Sequence, residues 1–473
     1  MKNSIDIKGR SLILSTPEND AEFDRIVELN EAVHGIGQLC RTIDVSYPGI
    51  PRDHWYAISE PGTGRVLSTL CRLPTTWIYR ASGPGRASVY EGTSVDIPVA
   101  ELSFVATATD ARGLGLSSHL IHRYEADSIK LGFSLSTIEG IPYFYRRFGY
   151  EYVAPLNVQL RLGPGLSPRE GNKLDSWRPS QAGIGMAPGA AGRLTLAAEA
   201  IALGLSFRDA GQADAPLVSR LFDAANRNLA VAAKRDAGLW EYLLGPGAKT
   251  EGTALRRLLA YRGDAVVGYF GLCPDGFGPG WAMLEAAVDP ALADGERRAV
   301  AYAFLAEAEK ERAARGAAHL VVSLPRSHEA STLALELGAD DRKEYGWQAK
   351  VLDPVGFCGI VATVLEARLG ASAWKGKRFS LSLDLYGMVL RFDWDGSRLA
   401  IGEESAVGDN SDNAEAPANA GRLPPELFSP LALGYRSVAD LRRLRHDVSI
   451  YGETESFLDA LFPTIDAYVH QFI

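Results

Sequence analysis

Cysteine is scarce: Cys40, Cys71, Cys273 and Cys358 are the only four in 473 residues, and they stand far apart. That spacing excludes a disulfide framework and a zinc site built from close ligand pairs, and it fits a reducing compartment. No run approaches the roughly 18 to 20 uninterrupted apolar residues of a membrane span. The apolar stretch in MKNSIDIKGRSLILSTPEND is also too short for a signal peptide, so a cytoplasmic location with no membrane partner is expected. Positive charge is in deficit, 49 Lys plus Arg against 58 Asp plus Glu, for a net charge of −9. Such a field repels a phosphate backbone, so nucleic acid is not an expected partner; a cationic small molecule suits it better. His119 and His122 stand without an H-x-x-x-H or Cys-His cluster, and no metal is expected. What remains is an ordinary globular composition, 46% hydrophobic and 23% charged, which excludes a mainly disordered, collagen-like or coiled-coil chain. The length exceeds the ~250 to 300 residues at which single cores stop growing, so two or three domains are expected.

Along the chain, residues 1–162 alternate helix and strand signals. They begin with a helical run after Pro17 in which Phe23, Ile26, Val27 and Asn30 recur at helical spacing. Residues 163–193, with GPGLSPREG and GIGMAPGAAG, read as a Gly/Pro-rich linker or crossover. Residues 194–352 repeat the mixed plan: a hairpin around Gly263-Asp264, an Ala-rich helix over about 295–315, and a buried strand in HLVVSLP. Residues 353–473 read as a hairpin-rich α+β domain. Within it, residues 402–421 form an acidic polar loop, and SFLDALFPTIDAYVHQFI is a terminal helix interrupted at Pro463. The fold class expected is α/β with mixed central sheets.

The chemistry concentrates between Ala100 and Val153, which reads strand, glycine loop, helix, strand, helix, strand. Gly113 and Gly115 let backbone N–H groups approach an anion, and the helix beginning near Leu116 aims its positive end at the same point. The pattern is neither G-x-x-x-x-G-K-[ST] nor G-x-G-x-x-G, so the pyrophosphate it would cradle is not that of an ATP P-loop or a Rossmann dinucleotide site. By contrast, VDPALADGERRAV opens the long helix of the second block with acids where such a cradle wants glycine, so no coenzyme is expected there.

Arg112 to Ser117 resembles the coenzyme A loop of the GCN5-related N-acetyltransferase superfamily, and IPYFYRRFGY resembles its fourth helix with the terminal Gly-aromatic pair. The resemblance implies that Arg112, Gly113, Leu114, Gly115, Leu116 and Ser117 hold the pyrophosphate of acetyl-coenzyme A, with Phe104 and Val105 pairing with the pantetheine amides. It implies also that Tyr145, four residues before Gly149, is the general acid on the departing thiolate, a role suited to a phenol held near developing charge on sulfur. Tyr143, Phe144, Tyr150 and Tyr152 are equally aromatic neighbours. Because an alkyl ammonium titrates near ~10, something must take its proton. Glu101, on the strand before the loop, is one candidate.

The order of the blocks resembles the Eis-type aminoglycoside acetyltransferases. This resemblance implies tandem acetyltransferase-like domains, the second degenerate, a tail domain like sterol carrier proteins, a homo-oligomer, and a catalytic C-terminal carboxylate at Ile473. Glu31, His34, His54, Trp55 and Trp77 occupy segments the superfamily uses for substrate. The reading is therefore direct acetyl transfer to a primary amine of a small, cationic, aminoglycoside-like molecule. Two alternatives stand beside it: a non-catalytic binder of hydrophobic ligands through the last domain, and a coenzyme A thioester enzyme with another acyl group or reaction.

Overall fold

The computed structural model describes residues 2–81, 92–156, 158–164, 190–250, 254–274, 279–342, 344–404 and 419–472. Most of the expected 163–193 linker, most of the 402–421 loop, and Ile473 therefore lie outside the described residues. Helices and mixed sheets alternate throughout, as expected of the α/β class. The chain divides into two compact units, one of Met1–Pro155, Asn228–Arg235 and Gly346–Phe472, the other of Leu156–Arg227 and Asp236–Tyr345.

The first unit is built on a large sheet. Strands β1 (Lys2–Ile7) and β2 (Arg10–Ser15) form a hairpin whose turn residues, Lys8 and Gly9, are both left-handed, as a two-residue hairpin turn requires. Then come α1 (Asp20–His34), α2 (Gly37–Ser46), β3 (Trp55–Ser59), β4 (Val66–Arg80), β5 (Ser94–Thr107), α3 (Leu116–Lys130), β6 (Leu135–Ile138) and β7 (Glu151–Pro155). Helix α1 starts where the sequence places it: Asn19 caps it by accepting from the Glu22 amide, and Phe23, Ile26, Val27 and Asn30 are all buried. Strands β1 to β6 lie in order, but β6 and β7 do not touch. Strand Gly346–Val351 enters between them, antiparallel to both. The long β4 pairs with β3 along its first half and with Val231–Lys234 along its last, and the chain's end adds Ala467–Tyr468 beside that strand.

The last part of this unit carries the four-stranded sheet Leu399–Glu404, Val389–Trp394, Phe379–Asp384 and Ala420–Arg422, with helices around it. Buried Arg368 joins it to β4 by donating to the Tyr79 hydroxyl at 2.7 Å, to the Leu461 carbonyl at 2.9 Å and to the Arg80 carbonyl at 3.0 Å. The expected terminal helix stops at Leu461. Beyond Pro463, whose ring cannot continue a helix, the chain runs extended.

The second unit holds a seven-stranded sheet into which Leu160–Leu162 passes directly after β7. The hairpin at Gly263-Asp264 joins Arg256–Arg262 to Ala265–Pro274, and helix Asp294–Ala314 bridges the parallel strands Trp281–Val288 and Leu320–Val322. That is the connection α3 makes between parallel β5 and β6. Glu296 accepts from the Ala293 amide at 3.3 Å, so this helix start is served by its own carboxylate. No helix of the described residues is long and apolar enough to cross a membrane.

Candidate active site

Strand β5 is interrupted by a bulge. Its register against β4 shifts between Thr69 and Cys71, and opposite that shift Phe104 takes a left-handed φ of 54°, unusual for a side-chain-bearing residue. The Phe104 ring is turned inward onto Trp55, 5.1 Å between centroids. On the other side, pairing between β5 and β6 covers only Val99 to Glu101, so the remainder of β5 runs on beyond its β6 partner. This overhanging stretch contains Phe104 and Val105. The Val105 carbonyl already accepts from His34 Nε2 at 3.1 Å, which ties the last turn of α1 to it.

At the end of β5 the loop from Arg112 turns into α3. Gly113 and Gly115 have φ of 80° and 86°, and open space lies where a Cβ would stand at either. No side chain caps α3 and no acid occupies its first turn. The amides of Leu116 and Ser117 have no acceptor within the helix by its geometry, while those of Ser118 and His119 reach back to the Gly115 carbonyl. The β1–β2 turn adds a cation, since Lys8 Nζ donates to the Gly113 carbonyl at 2.7 Å. Two amides without a helical acceptor, a helix dipole and a lysine reaching in from the hairpin can hold a diphosphate.

The segment after β6 is shorter than a fourth helix. Pro142 and a left-handed Tyr143 precede it and Gly149 ends it, leaving one 3-10 stretch, Phe144–Phe148. Tyr143 is 79% exposed, whereas Tyr145 is 5% exposed and packs edge-on to Phe144 and Tyr150. A buried hydroxyl chain distinguishes the tyrosines. Tyr124 donates to the Ala100 carbonyl at 2.7 Å, so its oxygen must accept from Ser136, and Ser136 must accept from Tyr150, each at 2.8 Å. The Tyr150 proton is committed to this chain, and burial raises the pKa values of Tyr150 and Tyr124 well above the ordinary phenol range. Gly140 is what admits Tyr145, because a Cβ there would lie 2.2 Å from its ring.

Glu101 is 4% exposed. Burial, and after it the charge of Glu139, push its pKa up to about 8, against a hydrogen bond from Ser103 Oγ at 2.9 Å. Glu139 directly follows β6 and was not singled out from the sequence. Glu139 is exposed to solvent, but the protein crowding around it raises its pKa to about 7, and the hydrogen bond from Gln471 Nε2 at 2.8 Å opposes that. Gln348 steadies the same turn, donating to the Gly140 carbonyl at 2.8 Å. Within the long motif, the signal for Glu139 was its place one residue past the strand parallel to β5.

The expected substrate residues fare differently. Trp55 and Trp77 are fully buried, Trp55 between Phe23 and Phe104 and Trp77 against Trp347, so both belong to the core rather than to a substrate surface. Glu31 spends a carboxylate oxygen on the Gly37 amide at 2.8 Å and caps α2. His54 Nδ1 donates to the Arg72 carbonyl at 3.0 Å, and burial lowers its pKa to about 4, leaving it neutral in the core. His34 lies at the overhanging part of β5, through its bond to the Val105 carbonyl. A cavity of about 470 Å³ opens beside Tyr143 and Phe144, lined also by Arg146, Arg147, Glu151, Glu426 and Arg445; it touches neither the glycine loop nor the two carboxyls.

No family model matches the chain, and no curated protein matches it by sequence. Solved structures do. A GCN5-related N-acetyltransferase from Anabaena variabilis is 12% identical, with a TM-score of 0.63 over 97% of this chain and 99% of that one. One from Kribbella flavida is 14% identical, with a TM-score of 0.60 over 98% and 100%. Eis1 from Mycobacterium abscessus is 13% identical, with a TM-score of 0.56 over 97% and 99%. The fold of this chain, from end to end, is that of the GCN5-related N-acetyltransferase structures.

Proposed function

We propose that this protein is an acyl-coenzyme A-dependent N-acyltransferase that moves an acetyl group from acetyl-coenzyme A to a primary amine of a small cationic molecule. The observation that carries this reading is the uncapped start of α3 behind two left-handed glycines, beside a strand that runs on past the end of its neighbour. The diphosphate would lie on the amides of residues 113–117 and Lys8, and the pantetheine along β5 past the bulge. Tyr145, whose ring lies against Gly140, would protonate the departing thiolate.

The full-length likeness to Eis1 supports an Eis-type arrangement and a homo-oligomer, which light scattering would check, and with them a polycationic amine as acceptor. The four cysteines, none of them in a disulfide, support a cytoplasmic setting. The hydrophobic-ligand alternative finds less support. In the last part of the chain Trp374, Phe379 and Phe457 pack ring to ring at 4.7 to 5.2 Å where such a ligand would need room.

Calorimetric titration of acetyl-coenzyme A is the test. One site per chain is expected, abolished in Gly115→Glu, whose side chain brings bulk and negative charge to the loop. No binding, or binding indifferent to Gly115, would sink the reading.

A further inference from the structure

Glu101 and Glu139 sit on neighbouring parallel strands, at the last β5–β6 pair and one residue beyond β6. Glu101 Oε1 accepts from Ser103, but Oε2 is buried and meets no hydrogen-bond partner among the described residues. A dry, half-satisfied carboxyl is costly unless something completes it. Among the described residues no cation pairs with either carboxyl. Ser103 on β5 and Gln471 on the chain's last stretch are neutral. Cys71 on β4 and Tyr124 on α3 feel the Glu101 charge but stay protonated at neutral pH. Lys350, on the strand beside β6, is engaged with Glu125 at 2.8 Å. Gln471 itself is firmly placed. Ala467 and Tyr468 pair with Val231 and Ala232, Trp347 Nε1 donates to the Val469 carbonyl at 2.8 Å, Arg235 donates to the Gln471 carbonyl, and Phe472 is buried.

We propose that Glu139, with Glu101 buried behind it, binds the ammonium of the acceptor substrate and takes its proton, and that Gln471 is a positioning residue holding Glu139 in place. This rests on the N-acyltransferase reading and adds to it the site of amine deprotonation. The ammonium gives one proton to Glu139, which passes it to solvent. The nitrogen lone pair then forms the C–N bond to the thioester carbonyl. A second proton leaves nitrogen as the C–S bond breaks, matching the one the thiolate takes up, so the sum is acetyl-coenzyme A plus ammonium giving amide, free thiol and one proton. Glu139 suits the transfer because solvent reaches it, whereas Glu101 is sealed behind.

Spermidine, whose amines stay charged across the range, is the probe; binding and acetylation are measured from about pH 6 to about pH 8 in the full chain. In the native protein affinity should rise roughly tenfold as Glu139 ionises, and kcat/KM should rise through a group titrating near pH 7. Glu139→Gln should lose both trends and roughly 100-fold in kcat/KM. Gln471→Ala should move the acidic limb to higher pH, because the bond that lowers the Glu139 pKa is gone, while Gln471→Asn partly restores it. A merely structural glutamine would not move that limb. Acetyl-coenzyme A binding, expected to be unchanged in every variant, is the folding control and also separates the two readings. If the coenzyme does not bind the native chain, the acyltransferase reading fails. If it binds but spermidine neither binds nor is acetylated, or if Glu139→Gln keeps the acidic limb within threefold of native activity, this proposal is overturned.

Discussion

At the residue scale the two carboxyls and Tyr145 make opposite demands on the fold. Glu101 and Glu139 have folded-state pKa values of about 8 and 7, above the usual carboxyl value near 4.5, so the folded protein binds more protons than the unfolded chain between those limits. The stability linked to them is complete below about pH 4.5 and is lost as pH rises through 7 and 8. Thermal melts should therefore show Tm falling from pH 5 to pH 8 by these groups, and Glu101→Gln should flatten the decline; a slope unchanged by that substitution would refute the linkage. Tyr145 instead depends on space. Gly140→Ala would set a methyl 2.2 Å from its ring, an overpacking expected to cost about 1 to 3 kcal/mol in a denaturant titration. If turnover is confirmed, it should also lower kcat by displacing the phenol, whereas Tyr145→Phe should lower kcat about 100-fold with coenzyme affinity kept. Of the residues singled out in the sequence, Gly113 and Gly115 had a legible backbone conformation, left-handed at both. The roles of Trp55, Trp77 and Glu31 were not legible, because an indole or a carboxylate looks the same in sequence whether it meets substrate or serves the core.

At the element scale the bare start of α3 follows from local sequence, two glycines and no acid in the first turn, whereas the bulge in β5 at Phe104 has no glycine to mark it. Nothing local announces the third contributor, the β1–β2 turn that reaches the loop through Lys8 from 105 residues away. Lys8→Ala removes one exposed hydrogen bond, so global stability should change by less than about 1 kcal/mol. Hydrogen exchange at the Gly113 and Gly115 amides should nonetheless quicken, since the loop loses its tether. Equal protection in the variant would show that the loop stands without the hairpin. The final helix shows the opposite failure. Apolar spacing in SFLDALFPTIDAYVHQFI suits a helix, yet past Pro463 the backbone finds its partners on strand Val231–Lys234 and at Trp347, and becomes a strand there.

At the scale of the whole chain, sheets borrow strands across long sequence distances. The sheet holding the candidate site is completed only when Val231–Lys234 covers the second half of β4 and Gly346–Val351 enters between β6 and β7. A fragment of residues 1–162 would leave the edges of β4 and β6 bare and should not fold alone; soluble expression with dispersed amide resonances would contradict this. In the second unit the buried bidentate pair of Arg257 and Glu285, 2.9 Å at each contact, should behave as such pairs do. Glu285→Ala should cost about 3 to 5 kcal/mol in urea by leaving the guanidinium unpaired, and replacing both residues by apolar ones should cost much less.

Helix starts, the Gly263-Asp264 hairpin, the mixed α/β class and the glycine loop are written in residues a few positions apart, where steric preference and hydrogen bonding act within one segment. Which strand completes which sheet, which tyrosine keeps its proton, and the meeting of Glu139 with Gln471 across 332 residues depend on how distant segments share one interior. Burial and long-range register, which no local pattern encodes, decide them.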